Sequence, residues 1–182
     1  GQGFNVLACE QGWAFGYAVH DGYTGYVEAR MLTPVDDPAT HRVCARQTVA
    51  LASPAFKATK ADHVPLSLGS EVVVTATTDK WATINGAPHD LYVPLDHLTP
   101  IDTKDPDPVT VAERLLGTPY VWGGNSGFGI DCSGLVQVAC RACGIPCPGD
   151  SDQQRALLGE TLHPDTPPQR GDLLFWKGHV GW

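Results

Sequence analysis

Residues 120–135, which read YVWGGNSGFGIDCSGL, decide the fold of the C-terminal part of the chain. The glycine-rich first half predicts a loop. From Cys132 to Cys143 apolar residues recur at helical spacing, and Gly144 with Pro146 predicts the end of that helix. Cys132 therefore lies at a helix N-terminus, where unpaired backbone N–H groups and the helix dipole stabilise a thiolate. The position suits a nucleophile, and a buried structural cysteine would fit it as well.

A base for this nucleophile can come from the last twelve residues, GDLLFWKGHVGW. The apolar run Leu173–Trp176 predicts a short buried strand, Gly178 a tight turn, and His179 the start of a second strand. A histidine on a strand edge can meet a cysteine at a helix end across a cleft. A surface or core histidine is the structural alternative.

Upstream of the loop, the polar and proline-rich segment 101–107 reads as a linker. Asp107 then predicts an N-cap with Pro108 at the first helical position. The predicted apolar stripe of this helix and the glycine that ends it are Val109, Ala112, Leu116 and Gly117.

The first 100 residues contain an internal repeat with an offset of about 66 residues. Each copy has alternating apolar residues and one tryptophan, which is typical of short antiparallel strands. Asp21-Gly22 adds a hairpin signal in the first copy. The corresponding elements are Gly3 and Gly69, Trp13 and Trp81, Tyr26-Val27 and Tyr92-Val93, and Leu32-Thr33-Pro34 and Leu98-Thr99-Pro100.

The two copies predict a first module over residues 1–35 and a second over 36–100. The second has a lead-in, residues 41–68, that the first lacks. A partial barrel cannot bury its inner face or pair its edges. We therefore expect the first module to be incomplete.

Composition and charge exclude several classes of function. The 182 residues carry a net charge of −8, which argues against nucleic acid or an anionic membrane surface as partner. No apolar stretch approaches the ~18 residues of a membrane span. The cysteines show no disulfide framework, and Cys140, Cys143 and Cys147 read as small buried residues at a helix end rather than as a zinc site. We expect no metal or cofactor.

Four motifs in this order, YVWGG, DCSGL, GDLLFW and GHVG, give the segment a family resemblance. It resembles the NlpC family of bacterial cell-wall cysteine peptidases, which implies a papain-like α+β domain over residues 108–182. The upstream modules resemble tandem bacterial SH3-like domains, two small all-β barrels. The expected fold class is therefore α+β, with two barrels preceding the peptidase domain.

The resemblance implies a catalytic set. Cys132 would be the nucleophile, His179 the general base, and the Tyr120 hydroxyl an oxyanion donor beside the Cys132 backbone N–H. A structural tyrosine is the alternative for Tyr120. In this family a third polar residue orients the histidine from about a dozen residues further on. It would lie beyond Trp182, so we expect the peptidase domain to be incomplete as well.

The family cleaves the γ-D-glutamyl to diamino acid bond of peptidoglycan stem peptides. A subgroup, the γ-D-glutamyl-L-diamino acid endopeptidases, has two SH3-like domains and needs a free N-terminal L-Ala. By resemblance Asp150 and Ser151 would bind that amine, although Ser151-x-x-Gln154 is also a helix capping box. Asp131 and Ser133 would contact the D-Glu carboxylate or support the loop.

Tyr23 of the first module would close the amine pocket, or pack in its own module. The expected partner is a peptidoglycan-derived peptide, with no nucleic acid and no membrane, and the oligomeric state is undetermined. A catalytically dead binding module, or a thiol amidase or acyltransferase on the same fold, remains an alternative. The cysteine usage favours a cytoplasmic location and peptide recycling, with the periplasm or cell envelope as the alternative.

Overall fold

A computed structural model describes residues 1–34, 37–55, 63–86 and 89–182 of the chain. The described residues form eleven short strands in the first hundred positions, and three α-helices and four further strands after them. The strands are β1 (Phe4–Glu10), β2 (Trp13–Ala18), β3 (Thr24–Glu28), β4 (His41–Val43), β5 (Gln47–Leu51), β6 (His63–Ser67), β7 (Glu71–Val72), β8 (Val74–Thr77), β9 (Trp81–Ile84), β10 (Leu91–Pro94), β11 (Leu98–Pro100), β12 (Asn125–Ser126), β13 (Gly129–Ile130), β14 (Leu174–Trp176) and β15 (His179–Gly181). The helices are α1 (Pro108–Glu113), α2 (Cys132–Ala142) and α3 (Ser151–Leu157).

The chain divides into two compact units. The first unit comprises Gly1–Cys44, Thr48–Leu66 and Ser70–Ile101. The second comprises Asp102–Trp182 together with two short upstream segments, Ala45–Gln47 and Ser67–Gly69. No helix among the described residues has the length and hydropathy needed to cross a bilayer.

The first unit shows the predicted repeat in its strands. β1, β2 and β3 form an antiparallel meander, and β8, β9 and β10 form a second one, each followed by a three-residue 3₁₀ helix. The two tryptophans differ, because Trp81 is buried while Trp13 is half exposed. Identification of the copies as SH3-like barrels stays a prediction, and the predicted boundary at residues 35–36 lies outside the described residues.

The core of the first unit belongs to the second copy. Ala50, Ile84 and Val93 form a buried cluster where three neighbouring strands of the β6-β5-β10-β9-β8 sheet meet. β11, β4 and β7 form a further sheet in that order. Burial alternates along β5, where Thr48 and Ala50 are buried and Val49 is exposed, as expected for a strand with one buried face.

Helix α1 begins where the sequence predicts. Asp107 is its N-cap and accepts hydrogen bonds from the backbone N–H groups of Val109 and Thr110, both at 3.1 Å. The α-helix ends at Glu113, before the predicted stop, and i→i−3 hydrogen bonds continue the chain to Gly117 at φ +82°.

The predicted apolar stripe of α1 is wrong. Val111 and Leu115 are the buried residues, whereas Leu116 is 74% exposed. Val111 and Leu115 lie four positions apart on one face and pack with Leu68 and Ile130. The buried face therefore lies one residue before the predicted Ala112 and Leu116, where the chain meets Leu68 and Ile130.

Helix α2 is buried on two sides, which explains why it is apolar around most of its circumference. Val138, Ala139 and Ala142 pack with α1 in one cluster. Val136 and Cys140 pack in a second cluster, together with Cys147 and Val180. The predicted helix is confirmed, with Cys143 as the C-cap and Gly144 at φ +72°.

The two short upstream segments of the second unit hold its loop 125–129. The Gln47 side-chain amide donates to the Gly127 carbonyl at 2.6 Å, and the Gly127 N–H donates to the Ser67 hydroxyl at 2.6 Å. Leu68 is buried against α1 and α2. Nothing in the sequence pattern predicted these contacts.

The hairpin of β14 and β15 departs from the prediction in its burial. Gly178 makes the turn at φ +73°, as predicted. Leu174 and Trp176 are exposed by 46% and 56%, so the prediction of a buried strand is wrong. In the described part of the chain the hairpin has only these two strands. Phe175 packs on the cluster beside α2, whereas Leu174 and Trp176 on the other face of β14 meet solvent.

An ion-pair network holds the start of α1. The Arg170 guanidinium donates to Asp107 at 2.9 Å and to Glu113 at 2.7 Å. Hydrogen bonds from Thr110, and then from Arg170, lower the pKa of Asp107 from 3.8 to about 2. Because the folded-state pKa is depressed, this stabilisation is present above about pH 4 and is lost as the pH falls through about 2.

We predict that Arg170→Gln lowers the thermal unfolding temperature at about pH 5, and that the deficit narrows as the pH falls through about 2. Circular dichroism measures the unfolding temperatures of the variant and the wild type at a series of pH values in this range. Arg155→Gln, at an exposed position on α3, is the control and should leave the curve unchanged. A deficit for Arg170→Gln that is constant with pH would contradict the assignment.

Candidate active site

Cys132 is the first residue of α2, with Asp131 as the N-cap. Its side chain is half-buried and borders the cluster that contains Val136, Cys140 and Val180. The sulfur therefore lies at the N-terminal end of α2, where the first backbone N–H groups of a helix have no partner within the helix.

The Asp131 carboxylate joins the glycine-rich loop to the first turn of α2. One oxygen accepts from the Gly134 N–H at 2.7 Å and from the Ser133 hydroxyl at 3.3 Å. The other accepts from the Gly123 N–H at 2.8 Å. Asp131 is 9% exposed, so these bonds hold a buried carboxylate. These hydrogen bonds are the ones expected if Asp131 supports the loop. The Asp131 carboxylate would repel the carboxylate of D-Glu, so it does not suit the alternative role of binding that group.

Close backbone packing explains two of the glycines. A Cβ at Gly124 would lie 2.5 Å from the Gly129 carbonyl oxygen, and one at Gly134 would lie 2.3 Å from the Gly124 carbonyl oxygen. Any larger residue would push the loop away from the helix start. The glycines therefore serve the close approach of the loop to α2.

Tyr120 brings a hydroxyl to the nucleophile. Its backbone bridges to Ile130, next to the N-cap of α2. Desolvation, followed by the charges of Cys132 and Asp131 and by an interaction with the Cys132 side chain, raises the pKa of Tyr120 above 10.0. The hydroxyl is thus kept protonated and available as a donor.

His179 opens β15, opposite Trp176 in the hairpin, with the two rings 5.7 Å apart. The next residue, Val180, is buried in the cluster that Cys132 borders. This shared cluster places β15 against α2. Within the described residues no hydrogen bond links Cys132 to His179, and catalytic hydrogen bonds often form only when substrate is bound.

Asp150 and Ser151 stand at the start of α3, with Asp150 as the N-cap and no side-chain capping bond. The capping-box interpretation is therefore wrong. The Gln154 side chain points inward and donates to the carbonyls of Ser133 and Pro148 instead of reaching back to the helix start.

Sequence reasoning missed Gln154 as a buried residue. Its spacing in the sequence could have indicated this burial, because Gln154 lies four residues before Leu158, which packs on the cluster beside Cys132.

Tyr23 lies in the first unit, in the turn between β2 and β3, and is 53% exposed. Its role stays a prediction. Within the described ranges no group of three His, Cys, Asp or Glu side chains could hold a metal ion.

We predict that Asp131→Ala lowers the free energy of unfolding by about 1–3 kcal/mol, because it leaves buried N–H groups of the loop and helix without acceptors. Urea unfolding measures the change. Asp152→Ala is the control, since Asp152 is exposed and accepts only from the neighbouring Gln153 N–H. Equal effects of the two substitutions would contradict the role given to Asp131.

Residues 117–182 match the model of the NlpC/P60 family. A gamma-D-glutamyl-L-lysine dipeptidyl-peptidase of Bacillus cereus is 39% identical over 79 residues, 41% of this chain and 22% of the relative. Dipeptidyl-peptidase 6 of Lysinibacillus sphaericus is 42% identical over 74 residues, 40% of this chain and 26% of the relative. Gamma-DL-glutamyl hydrolase of Bacillus subtilis is 42% identical over 77 residues, 41% of this chain and 18% of the relative. Each match thus spans about a quarter or less of the relative's length.

A crystal structure of an NlpC/P60 family protein from Bacillus cereus covers all of this chain with a TM-score of 0.81 and 22% identity. This chain corresponds to 66% of that one. The likeness confirms a mixed α/β fold with a papain-like NlpC domain in the C-terminal part. Cys132 and His179 both lie in residues 117–182, the segment that matches the model of the NlpC/P60 family.

Proposed function

We propose that Cys132 and His179 serve a cysteine endopeptidase that hydrolyses the γ-D-glutamyl to diamino acid bond of peptidoglycan stem peptides. The substrate would carry a free N-terminal L-Ala. One observation carries the proposal: Cys132 is the first residue of α2, and the Tyr120 side chain lies near enough for Cys132 to raise its pKa. A nucleophile and an oxyanion donor are thus preassembled at a helix N-terminus.

In the proposed reaction the Cys132 thiolate attacks the γ-carbonyl carbon of D-Glu. His179 protonates the leaving amine of the diamino acid as the C–N bond breaks, and a thioester remains on Cys132. His179 then removes a proton from water, which attacks the thioester and releases the new γ-carboxylate. The Cys132 thiolate is restored.

The tetrahedral oxyanion would be stabilised by two donors. One is the Cys132 backbone N–H at the start of α2, and the other is the Tyr120 hydroxyl. The raised pKa of Tyr120 supports this role, because the phenol stays a donor throughout the pH range of catalysis. Both donors are anchored through the loop that Asp131 holds.

Substrate selection would rest on the start of α3. A carboxylate at Asp150, with the Ser151 hydroxyl beside it, can pair with the ammonium group of L-Ala. A blocked N-terminus would leave that carboxylate unpaired, which is unfavourable. Ser133 is half-buried at the first turn of α2, where its hydroxyl would contact the D-Glu carboxylate.

The names of two kinds of relative support a γ-glutamyl bond as the target, since the gamma-D-glutamyl-L-lysine dipeptidyl-peptidases and the gamma-DL-glutamyl hydrolase both include the glutamyl group. A γ-glutamyl hydrolase without an amine requirement is therefore the second candidate. We also propose a cytoplasmic role in peptide recycling, since the spacing of the cysteines in the sequence shows no disulfide framework.

We expect the protein to cleave L-Ala-γ-D-Glu-diaminopimelate and to be slow on the N-acetylated peptide. Chromatographic detection of released diaminopimelate measures both rates. Cys132→Ala should abolish cleavage, whereas Cys143→Ala, at the other end of α2, should leave it unchanged. Equal rates on the two peptides would favour the second candidate, and full activity of Cys132→Ala would overturn the proposal.

Tyr120→Phe is expected to lower kcat by roughly 10²-fold with little change in KM, because it removes a donor that acts on the transition state. Steady-state kinetics with the same peptide measures the change. Tyr26→Phe, at an exposed tyrosine of β3, is the matched control. A rise in KM with unchanged kcat would show that Tyr120 binds substrate instead.

A further inference from the structure

Gln154 is the largest fully buried side chain of the described residues, on the short helix α3. Its Nε2 donates to the Ser133 carbonyl and to the Pro148 carbonyl, each at 2.9 Å, and lies 3.5 Å from the Cys147 sulfur. Its Oε1 is buried and has no hydrogen-bond partner in the described part of the chain.

This arrangement fixes the orientation of the amide. Both N–H groups of Nε2 are directed at carbonyl oxygens, and a flipped amide would bring Oε1 against those same oxygens. An acceptor left without a partner in the interior costs free energy. A glutamine is therefore needed at this position for the two hydrogen bonds that its N–H groups donate, and an apolar side chain of similar volume would not replace them.

The two carbonyls belong to segments with different proposed tasks. Ser133 follows the nucleophile in the first turn of α2. Pro148 lies two residues before Asp150, where the proposed amine-binding pair begins. A single buried amide thus ties the helix start that carries Cys132 to the segment that carries Asp150.

We propose that Gln154 is a positioning residue that sets the separation between the Asp150 carboxylate and the Cys132 sulfur. The inference rests on the proposed function. A substrate anchored by its free amine then presents its γ-carbonyl to Cys132. Attraction between the ammonium group and Asp150 speeds the reaction only while this spacing is held, because a misplaced carbonyl cannot reach the thiolate.

The test compares the free-amine and N-acetylated peptides as a ratio of kcat/KM values. Gln154→Met has a similar volume and no N–H groups, and we expect it to reduce the preference for the free amine at least about fivefold, mainly through kcat. Gln153→Met, at the exposed neighbouring position, should keep the wild-type ratio. Thermal unfolding of both variants monitors the fold.

A fall in kcat/KM by the same factor on both peptides would mean that Gln154 has a purely structural role, and it would overturn the inference. A wild-type protein with no preference would instead overturn the proposed function, so the two failures are distinguishable.

Gln154→Glu is the second variant if Gln154→Met does not fold. A protonated glutamic acid can donate one hydrogen bond and an ionised one can donate none, so the preference of this variant for the free amine should fall as its introduced carboxyl group ionises with rising pH. A ratio that stays at the wild-type value after this ionisation would overturn the inference.

Discussion

The buried carboxylate of Asp131 is the constraint on which the site depends. It accepts from Gly123 in the loop and from Gly134 in the first turn of α2. Both oxygens are occupied by these donors, so the loop and the helix start cannot move independently. Cys132 and Tyr120 lie on the two sides of this junction, near enough for Cys132 to raise the pKa of Tyr120.

Packing around α2 carries that constraint into the rest of the C-terminal unit. One cluster joins α2 to α1 and to Leu68, and the other joins it to β15 through Val180. The helix that presents Cys132 is thus buried along its length, while its first residue stays half-buried and accessible to a substrate. A rigid helix with an open N-terminal end is what a preassembled nucleophile requires.

Local signals in the sequence predicted the local structure well. The residues around Asp107 predicted a capped helix, and those around Cys132 predicted a second helix, because caps and glycine stops act within a few residues. Which face is buried depends on distant partners. The stripe through Leu116 was therefore wrong, since Val111 and Leu115 meet Leu68.

The same distinction applies to the site. The capping box at Ser151 failed because the carbonyls of Ser133 and Pro148, remote in sequence, take the Gln154 amide. The contacts of Gln47 and Ser67 with Gly127 escaped prediction for the same reason, as they lie 80 and 60 residues apart. Cys132 could be proposed as the nucleophile and His179 as the base because their motifs are short and specific. The distances between these residues and the groups of a bound substrate depend on the folded chain and could not be predicted from the motifs.

The most direct test of the account is the mass of the protein after rapid acid quench with L-Ala-γ-D-Glu-diaminopimelate. The account predicts an added L-Ala-γ-D-glutamyl group, held as a thioester and mapped by peptide mass spectrometry to Cys132. An acyl group on another residue, or full cleavage by Cys132→Ala, would contradict it.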